Sequence, residues 1–202
     1  MNTKLISALA ATALLSAAPA FAAPVTLDFE SVTTGASVGN LYIGYGISFG
    51  GDVLGVVNDE FTQFISNAPS GVGAMSAVGP ANALNAVGPG GGLQGAVSFF
   101  YSAADVSTVT VWSGLNGTGT ALASFDLTAN AGGCSIDTPY CMWTAATITF
   151  AGFAKSVTFD PSGFTAFDNV QVDAVPLPAA GWLLISALTG FGAWRRKRAL
   201  AA

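Results

Sequence analysis

The side chains of this chain that could do chemistry are almost all carboxylates. Its 202 residues contain 11 Asp and Glu, two Cys and no His. The acids lie between Asp28 and Asp173, a stretch in which Lys155 is the only cation. Without His there is no base for a serine nucleophile and no ordinary ligand set for zinc. The chemistry left open is catalysis by paired carboxyl groups or the binding of a hard cation such as calcium.

Catalysis by paired carboxyl groups finds little support in the spacing of the acids. Asp59 and Glu60 are adjacent and would point to opposite faces of a strand, which argues against their acting as a pair. The stretch from Asp28 to Asp173 also contains no Arg to stabilise charge in a transition state. We therefore predict a protein that is not an enzyme.

A calcium site is the more reasonable chemistry. Asp28 and Glu30 share the polar face of one predicted strand. Asp168 has the same parity as Val170 in a later strand, which places its carboxyl group at the rim of the core and in need of a partner. A calcium ion held by Asp28, Glu30 and Asp168 would satisfy all three, because calcium binds several carboxylate and carbonyl oxygens. Backbone N–H groups or Lys155 are the other partners open to Asp168.

Sugar binding would need an exposed aromatic ring with amides or carboxylates beside it. Aromatic residues in alternating strands more often belong to the core. Tyr140 and Trp143 are the best candidates for an exposed platform, since they lie in or near a short loop between Cys134 and Cys141. In an exported chain we expect these two cysteines to form a disulfide.

The elements that must position these groups are predicted to be β-strands. No stretch between the two ends of the chain sustains an amphipathic helical period, so residues 23–173 are predicted to form one all-β domain, an antiparallel β-sandwich or jelly roll. Asn116-Gly117 predicts a hairpin, whereas the glycine-rich residues 71–95 are predicted to form a long loop with room for one short strand. The alternating runs are Val25–Phe29, Val97–Tyr101, Val109–Trp112, Thr147–Phe150, Val157–Phe159 and Val170–Val172.

The first residues are typical of a secretory signal. Met1–Ala22 contains one cation, Lys4, then an apolar stretch and a small-x-small end. We predict removal of residues 1–22 before Ala23, and an uncleaved N-terminal anchor is the alternative.

The last residues predict a membrane segment. The apolar run from Val175 to Trp194 has about 20 residues and can cross a ~30 Å hydrocarbon layer at ~1.5 Å per residue. Four cations follow it and place the C-terminus in the cytoplasm.

The region between the two ends is acidic: its 11 Asp and Glu residues against the single cation Lys155 give a net charge of −10. We therefore exclude nucleic acid as a partner, because phosphate binding needs clustered cations.

The tail, residues 174–202, has three parts. They are the proline motif Val175, Pro176, Leu177, Pro178 and Ala179, the predicted helix Ala180–Trp194, and the basic end Arg195, Arg196, Lys197 and Arg198. This arrangement resembles the PEP-CTERM sorting signals in their VPLPA variant, also named the ice-binding-protein C-terminal domain without evidence of ice binding. The resemblance implies export, recognition by an exosortase-type transpeptidase, removal of the tail near the motif, and association with exopolysaccharide or biofilm matrix. A permanent single-pass anchor is the alternative.

The region between the ends has a second, weaker resemblance. The acids of its first and last strands are placed as in lectin-like and carbohydrate-binding-module jelly rolls, in which a structural calcium often ties the termini together.

We predict an exported matrix protein that begins as a precursor anchored in the inner membrane and ends at the cell surface or outside the cell. The alternative is a carbohydrate-binding module whose partner is a polysaccharide.

Overall fold

The structure, a computed structural model, describes residues 24–58, 64–88 and 91–175. The predicted signal peptide, the acids Asp59 and Glu60, and the chain from Pro176 onward lie outside the described residues. Among those that are described, no helix has the length and apolarity needed to cross a membrane. The predicted membrane helix, residues 180–194, is not among them.

β-Strands account for nearly half of the described chain, as the alternating runs predict. Two single 3-10 turns, η1 (Ile43–Tyr45) and η2 (Pro161–Gly163), interrupt them. The strands are β1 (Val25–Leu27), β2 (Ile47–Phe49), β3 (Val53–Val57), β4 (Gly73–Ala77), β5 (Ala83–Ala86), β6 (Gly92–Ala103), β7 (Ser107–Trp112), β8 (Ala121–Leu127), β9 (Thr144–Thr149), β10 (Ser156–Phe159) and β11 (Thr165–Val175).

The strands form two antiparallel sheets, which confirms the predicted all-β sandwich. One sheet has the order β3-β4-β11-β6-β9, and β1 pairs with β11 in addition. The other has the order β2-β5-β10-β7-β8. We call them the six-stranded and the five-stranded sheet.

The main core lies between the two sheets and is built on buried phenylalanine rings. Phe159 of β10 and Phe167 of β11 meet across it with ring centroids 4.7 Å apart. Phe99 of β6 packs edge-on against Phe167 at 5.5 Å. Burying a ring of this size stabilises a fold by about 1.5–3 kcal/mol, so these contacts hold the sheets together.

The prediction of a long loop over residues 71–95 is wrong. The segment contains β4, β5 and the start of β6, and every residue of β4 and β5 is buried. These strands consist mostly of small residues and have water on neither face, so no polar alternation reveals them. Small size is required there: a Cβ atom on Gly73 would lie 2.1 Å from the carbonyl oxygen of Phe29.

The predicted hairpin at Asn116-Gly117 is confirmed. The φ angles of Asn116 and Gly117 are 53° and 68°, and the N–H of Thr118 donates to the carbonyl of Leu115 at 3.2 Å. Two central residues of positive φ match the type I′ turn, whose twist suits antiparallel strands. The turn therefore sets the pairing of β7 with β8.

A bulge in β11 turns Asp168 away from the main core. Asp168 pairs with Phe100 and Gln171 with Ser98, so β11 advances three residues while β6 advances two. The extra residue, Asn169, has a φ of 47°. Phe167 and Val170 both belong to the main core, so Asp168 faces the outer side of the sheet. The parity that grouped Asp168 with Val170 is wrong because of this bulge.

A second layer covers that outer side of the six-stranded sheet. Residues 64–70 and 140–143 lie over it and enclose a small apolar cluster. The cluster is completed by residues of β3, β4 and β11, and its buried members are Val56, Ile65, Ala74, Tyr140 and Ala166.

Candidate functional site

A groove of about 370 Å³ runs along the outer face of the five-stranded sheet. It follows β7 and β10 and reaches the β7–β8 turn at one end. Most of its lining consists of uncharged hydroxyl and amide groups, and Asp160 carries its charge. The polar residues that line it are Asn82, Thr108, Thr110, Asn116, Thr158 and Asp160.

The hydroxyl groups face the groove because side chains alternate between the two faces of a strand. In β7, Val109 and Val111 are fully buried in the core, so Thr108 and Thr110 face outward. Thr158 of β10 lies opposite Thr110. The outer face of the two strands therefore presents a row of threonines at the spacing of a sheet.

The hairpin turn is fixed over one end of the groove by paired amides. The side-chain amide of Asn85 donates to the side-chain oxygen of Asn116 at 2.9 Å, and the backbone N–H of Asn116 donates back to Asn85 at 2.7 Å. Gly117 then passes close to Thr158, since a Cβ atom there would lie 2.7 Å from the Thr158 methyl group. This wall of the groove is thus held in place.

The threonine hydroxyl groups along the groove already form hydrogen bonds within the protein, and their oxygens keep lone pairs that can accept another. Trp112 is half-buried, and its indole N–H donates to Thr158 Oγ1 at 2.8 Å. Thr108 donates to Asp126 at 3.0 Å. Within the described ranges, the side-chain amide of Asn82 has no hydrogen-bond partner. Sequence reasoning missed this surface because it treated Trp112 as a core aromatic, although the alternating Thr-x-Thr-x-Trp of β7 indicated a hydroxyl-rich outer face.

A second polar site surrounds the hydroxyl group of Ser70, and we call Asp28, Glu30, Ser70 and Asp168 the Ser70 cluster. Ser70 Oγ lies 2.8 Å from Glu30 Oε1, 2.8 Å from Asp168 Oδ1 and 2.9 Å from the carbonyl oxygen of Asp28. A hydroxyl group has one hydrogen to donate. Three acceptors therefore compete for one proton.

Asp28 takes part in the Ser70 cluster through its backbone and not through its carboxylate. Its Oδ1 accepts from Tyr42 OH at 3.3 Å and from the N–H of Glu30 at 3.4 Å. The same Tyr42 oxygen accepts the N–H of Phe29 at 2.7 Å. Burial raises the pKa of Tyr42, so the phenol stays protonated and donates to Asp28.

The buried Asp168 carboxylate is satisfied by the backbone. It accepts the N–H of Ser70 at 2.8 Å and that of Asn169 at 2.6 Å. Burial raises the pKa of Asp168, and the nearby charge of Glu30 acts in the same direction against these hydrogen bonds. Of the partners considered from sequence, backbone N–H groups are present, whereas Lys155 donates to the carbonyl of Gly91.

Glu30 fastens the start of β4. Its carboxylate accepts the N–H of Gly73 at 2.9 Å and that of Val72 at 3.1 Å. Burial acts to raise the pKa of Glu30, but the hydrogen bonds from Gly73, Ser70 and Val72 together outweigh it and leave the pKa below its ordinary value.

As a cation site, the Ser70 cluster offers two carboxylates, a carbonyl and a hydroxyl group. Nowhere in the described ranges do three or more His, Cys, Asp or Glu side chains group in a way that could hold a metal ion. Calcium takes six to eight oxygen ligands, so water would have to complete the shell. The surplus of acceptors over hydrogens around Ser70 Oγ is the feature that fits a cation.

Tyr140 and Trp143 do not form the exposed platform expected from the sequence. Tyr140 is buried in the second layer, and burial raises its pKa. Trp143 is half-buried, and its indole N–H donates to the carbonyl of Ser66 at 2.9 Å. The expected exposure of Tyr140 is wrong, because both rings fasten residues 64–70 onto the sheet. Cys134 and Cys141 are joined in a disulfide beside them.

The predicted sorting motif begins inside the domain. Val175 is the last residue of β11 and pairs with Gly92. Pro176, Leu177, Pro178 and Ala179 lie outside the described residues, as do the basic residues 195–198.

No protein-family model and no curated protein matches the chain. Several solved structures resemble it, among them the following two. One is CBM29_1, a family 29 carbohydrate-binding module from Piromyces equi, with 11% identity, a TM-score of 0.41, and coverage of 76% of this chain and 91% of that chain. The other contains the CBM22-1 and GH10 modules of the Clostridium thermocellum endo-1,4-β-D-xylanase 10B complexed with xylohexaose, with 15% identity, a TM-score of 0.40, and coverage of 73% of this chain and 28% of that chain. Likenesses of this size support no inference about fold or function.

Proposed function

We propose that this chain is an exported, non-catalytic protein that binds a neutral polysaccharide on the outer face of its five-stranded sheet. Its sorting segment delivers it to the cell surface or the surrounding matrix. Most connections between strands cross from one sheet to the other, which supports the jelly-roll form of the sandwich. The groove is the observation that carries the proposal.

The groove is suited to sugars because its lining consists mainly of neutral donors and acceptors on a flat sheet face. Each hydrogen bond exchanged with water contributes about 0.5–1.5 kcal/mol net, so useful affinity requires several along an extended polymer. Asp160 and the neighbouring Asp126 would repel an anionic chain at short range. A neutral polysaccharide therefore fits better than an acidic one.

Removing two polar groups from the groove tests this function. We expect Asn82→Ala combined with Thr110→Val to weaken binding by about tenfold, since each change removes roughly 0.5–1.5 kcal/mol. Retardation in native gels that contain xylan, galactomannan or mixed-linkage glucan gives the affinity.

The matched control is Thr149→Val, which removes an exposed threonine hydroxyl from β9 in the other sheet. It should be retarded like the wild type. Equal retardation of all three proteins by a binding polysaccharide would show that the groove is not the site. A wild type that no polysaccharide retards would favour a matrix protein without a sugar ligand, as the sorting motif alone supports.

The delivery step is tested by intact-mass measurement of the protein recovered from cells and medium. We expect exported molecules to begin at Ala23 and to end near the proline motif. A permanent anchor would instead retain the basic residues 195–198 in the membrane fraction. Recovery only as the full 202 residues in the cytosol would contradict export.

We further propose that the Ser70 cluster holds a structural calcium ion. Glu30 and Asp168 would bind it with their carboxylates, Asp28 with its carbonyl and Ser70 with its hydroxyl oxygen. The ion would neutralise two neighbouring carboxylates and so tie the loop at residue 70 to the first and last strands.

Thermal unfolding with and without calcium tests the ion. Calcium at about a hundred times its Kd would stabilise the fold by about 2.7 kcal/mol, so the wild type should melt several degrees higher than in EDTA. Glu30→Gln and Asp168→Asn should lose this increase, and magnesium should not reproduce it. A wild-type melting temperature that is indifferent to calcium would refute the site.

A further inference from the structure

Both ends of the described chain lie at one end of the sandwich, which we call the exit end. Val25, at the start of β1, pairs with Val172, and Val175, the last residue of β11, pairs with Gly92. The loops at residues 40–46, 87–88, 113–120 and 150–155 belong to the same end, because they flank the starts of β2, β6, β8 and β10. The opposite, far end carries the connections at residues 50–52, 104–106, 128–143 and 160–164.

The exit end exposes a set of large apolar side chains. Ile43 and Tyr45 in η1 are 53% and 61% exposed, and Val87 and Phe153 are 40% and 53% exposed. The backbone links their loops: the N–H of Val87 donates to the carbonyl of Gly46 at 2.8 Å. The ring of Phe153 lies against Gly92, 3.1 Å from where a Cβ atom would be. The set therefore lies on the end of the sandwich at which β11 leaves the domain, and Phe153 lies beside the strand that pairs with Val175.

Charge separates the two ends. The far end also exposes apolar residues, among them Val106, Ile136 and Phe164, but they lie among carboxylates. At the exit end, the acid of the flanking strands is Asp173. The loop that carries Phe153 also carries Lys155, which is the only cation between Asp28 and Asp173. The acids of the far-end connections and the strand termini beside them are Asp52, Asp105, Asp126, Asp137 and Asp160.

The length of the connecting chain limits what the exit end can face. Four residues separate Val175 from Ala180, where the predicted membrane helix begins. The five Cα–Cα steps from Val175 to Ala180 span at most about 18 Å when fully extended. A chain anchored through that helix would hold its exit end within this distance of the bilayer.

We propose that in the membrane-anchored precursor, before the tail is removed, the exit end docks on the bilayer surface through Ile43, Tyr45, Val87 and Phe153. The inference rests on the membrane tail of the proposed function. Apolar side chains can enter the interface, where a tyrosine ring is well suited to the boundary between lipid and water. The near absence of carboxylates avoids repulsion by anionic headgroups, which would act on the far end. The β7–β8 turn, which lines one end of the groove, lies at this same end of the domain, and the rest of the groove runs along the side toward the far end.

The test uses the full chain reconstituted into vesicles of phosphatidylethanolamine and phosphatidylglycerol. Amide hydrogen exchange is measured in vesicles and in neutral detergent micelles, and flotation of the vesicles reports anchoring separately. We expect slower exchange in vesicles at residues 40–46 and 150–155, without a change at residues 104–106. Ile43→Ser combined with Tyr45→Ser and Phe153→Ser should lose this protection and still float.

The control, Val106→Ser with Phe164→Ser at the far end, should keep the protection. A wild type that floats but exchanges equally in vesicles and micelles at the exit end would overturn docking and leave the anchor intact. A wild type that does not float would overturn the membrane tail, and docking with it. Groove binding to polysaccharide is measured independently of both outcomes.

Discussion

Two carboxyl groups of the Ser70 cluster, Glu30 and Asp168, have pKa values shifted in opposite directions. Backbone donors hold Glu30 in its charged form and lower its pKa, whereas burial raises the pKa of Asp168. A carboxyl group with a lowered pKa stabilises the fold above its unfolded pKa, and this contribution is lost as the pH falls through the folded value. For Asp168 the sign is reversed: its charged form costs stability that protonation restores.

Glu30→Gln should therefore change the pH dependence of stability. In EDTA, we expect the variant to be less stable than the wild type at neutral pH. The difference in the free energy of unfolding should shrink as the pH falls from the ordinary glutamate pKa of 4.5 through the lowered pKa of Glu30 in the folded protein. Urea unfolding at a series of pH values measures it. Asp105→Asn, which removes an exposed turn carboxylate, is the charge control. A difference that stays constant across the acid range would show that Glu30 does not supply it.

At the same scale, sequence could select Glu30 and Asp168 but not the group that joins them. Ser70 lies in a loop between Pro69 and Gly71 and carries no pattern. The role of the Asp28 carbonyl also had no signal, because Phe29 adopts a φ of 57°, which an alternating run does not predict. Tyr140 shows the reverse error: a ring beside a surface disulfide was expected to be exposed, and a second layer buries it.

Elements were predictable where one strand face is polar and not where both faces are buried. The sequences of β7 and β10 alternate clearly, and the Asn116-Gly117 pair predicted the hairpin that joins β7 to β8. β4 and β5 contain small residues on both faces, so their identity depends on neighbouring strands that only the fold supplies. The groove is a property of adjacent elements, since β7 and β10 contribute threonines that are far apart in sequence.

The bulge in β11 leads to a prediction about this strand. Asn169 adopts a left-handed φ of 47°, which a β-branched residue tolerates poorly. We expect Asn169→Val to destabilise the protein by about 1–3 kcal/mol, whereas Asn169→Gly should be nearly neutral. Urea unfolding compares them. Equal stability of the two variants would mean that the left-handed conformation at this position is not required.

At the scale of the whole molecule, three surfaces of different chemistry face three directions. The exit end is apolar and nearly free of carboxylates, the far end is acidic, and the groove with its uncharged lining lies on the side between them. Composition predicted an acidic exported domain but not this distribution, because the charge of a region says nothing about which turns meet in space. Export and anchoring rest on the sequence of residues 1–22 and 174–202.

The position of β11 decides how this domain would carry mechanical tension. β11 is bonded to β6 on one flank and to β4 and β1 on the other, and hydrogen bonds between antiparallel strands run perpendicular to them. A pull through the tail, against a polymer held in the groove, would shear all of these bonds together instead of unzipping them one by one. Single-molecule force spectroscopy should therefore record a higher rupture force for pulling at Val175 than at the edge strand β8. While the tail is still in the membrane, the domain would therefore resist flow.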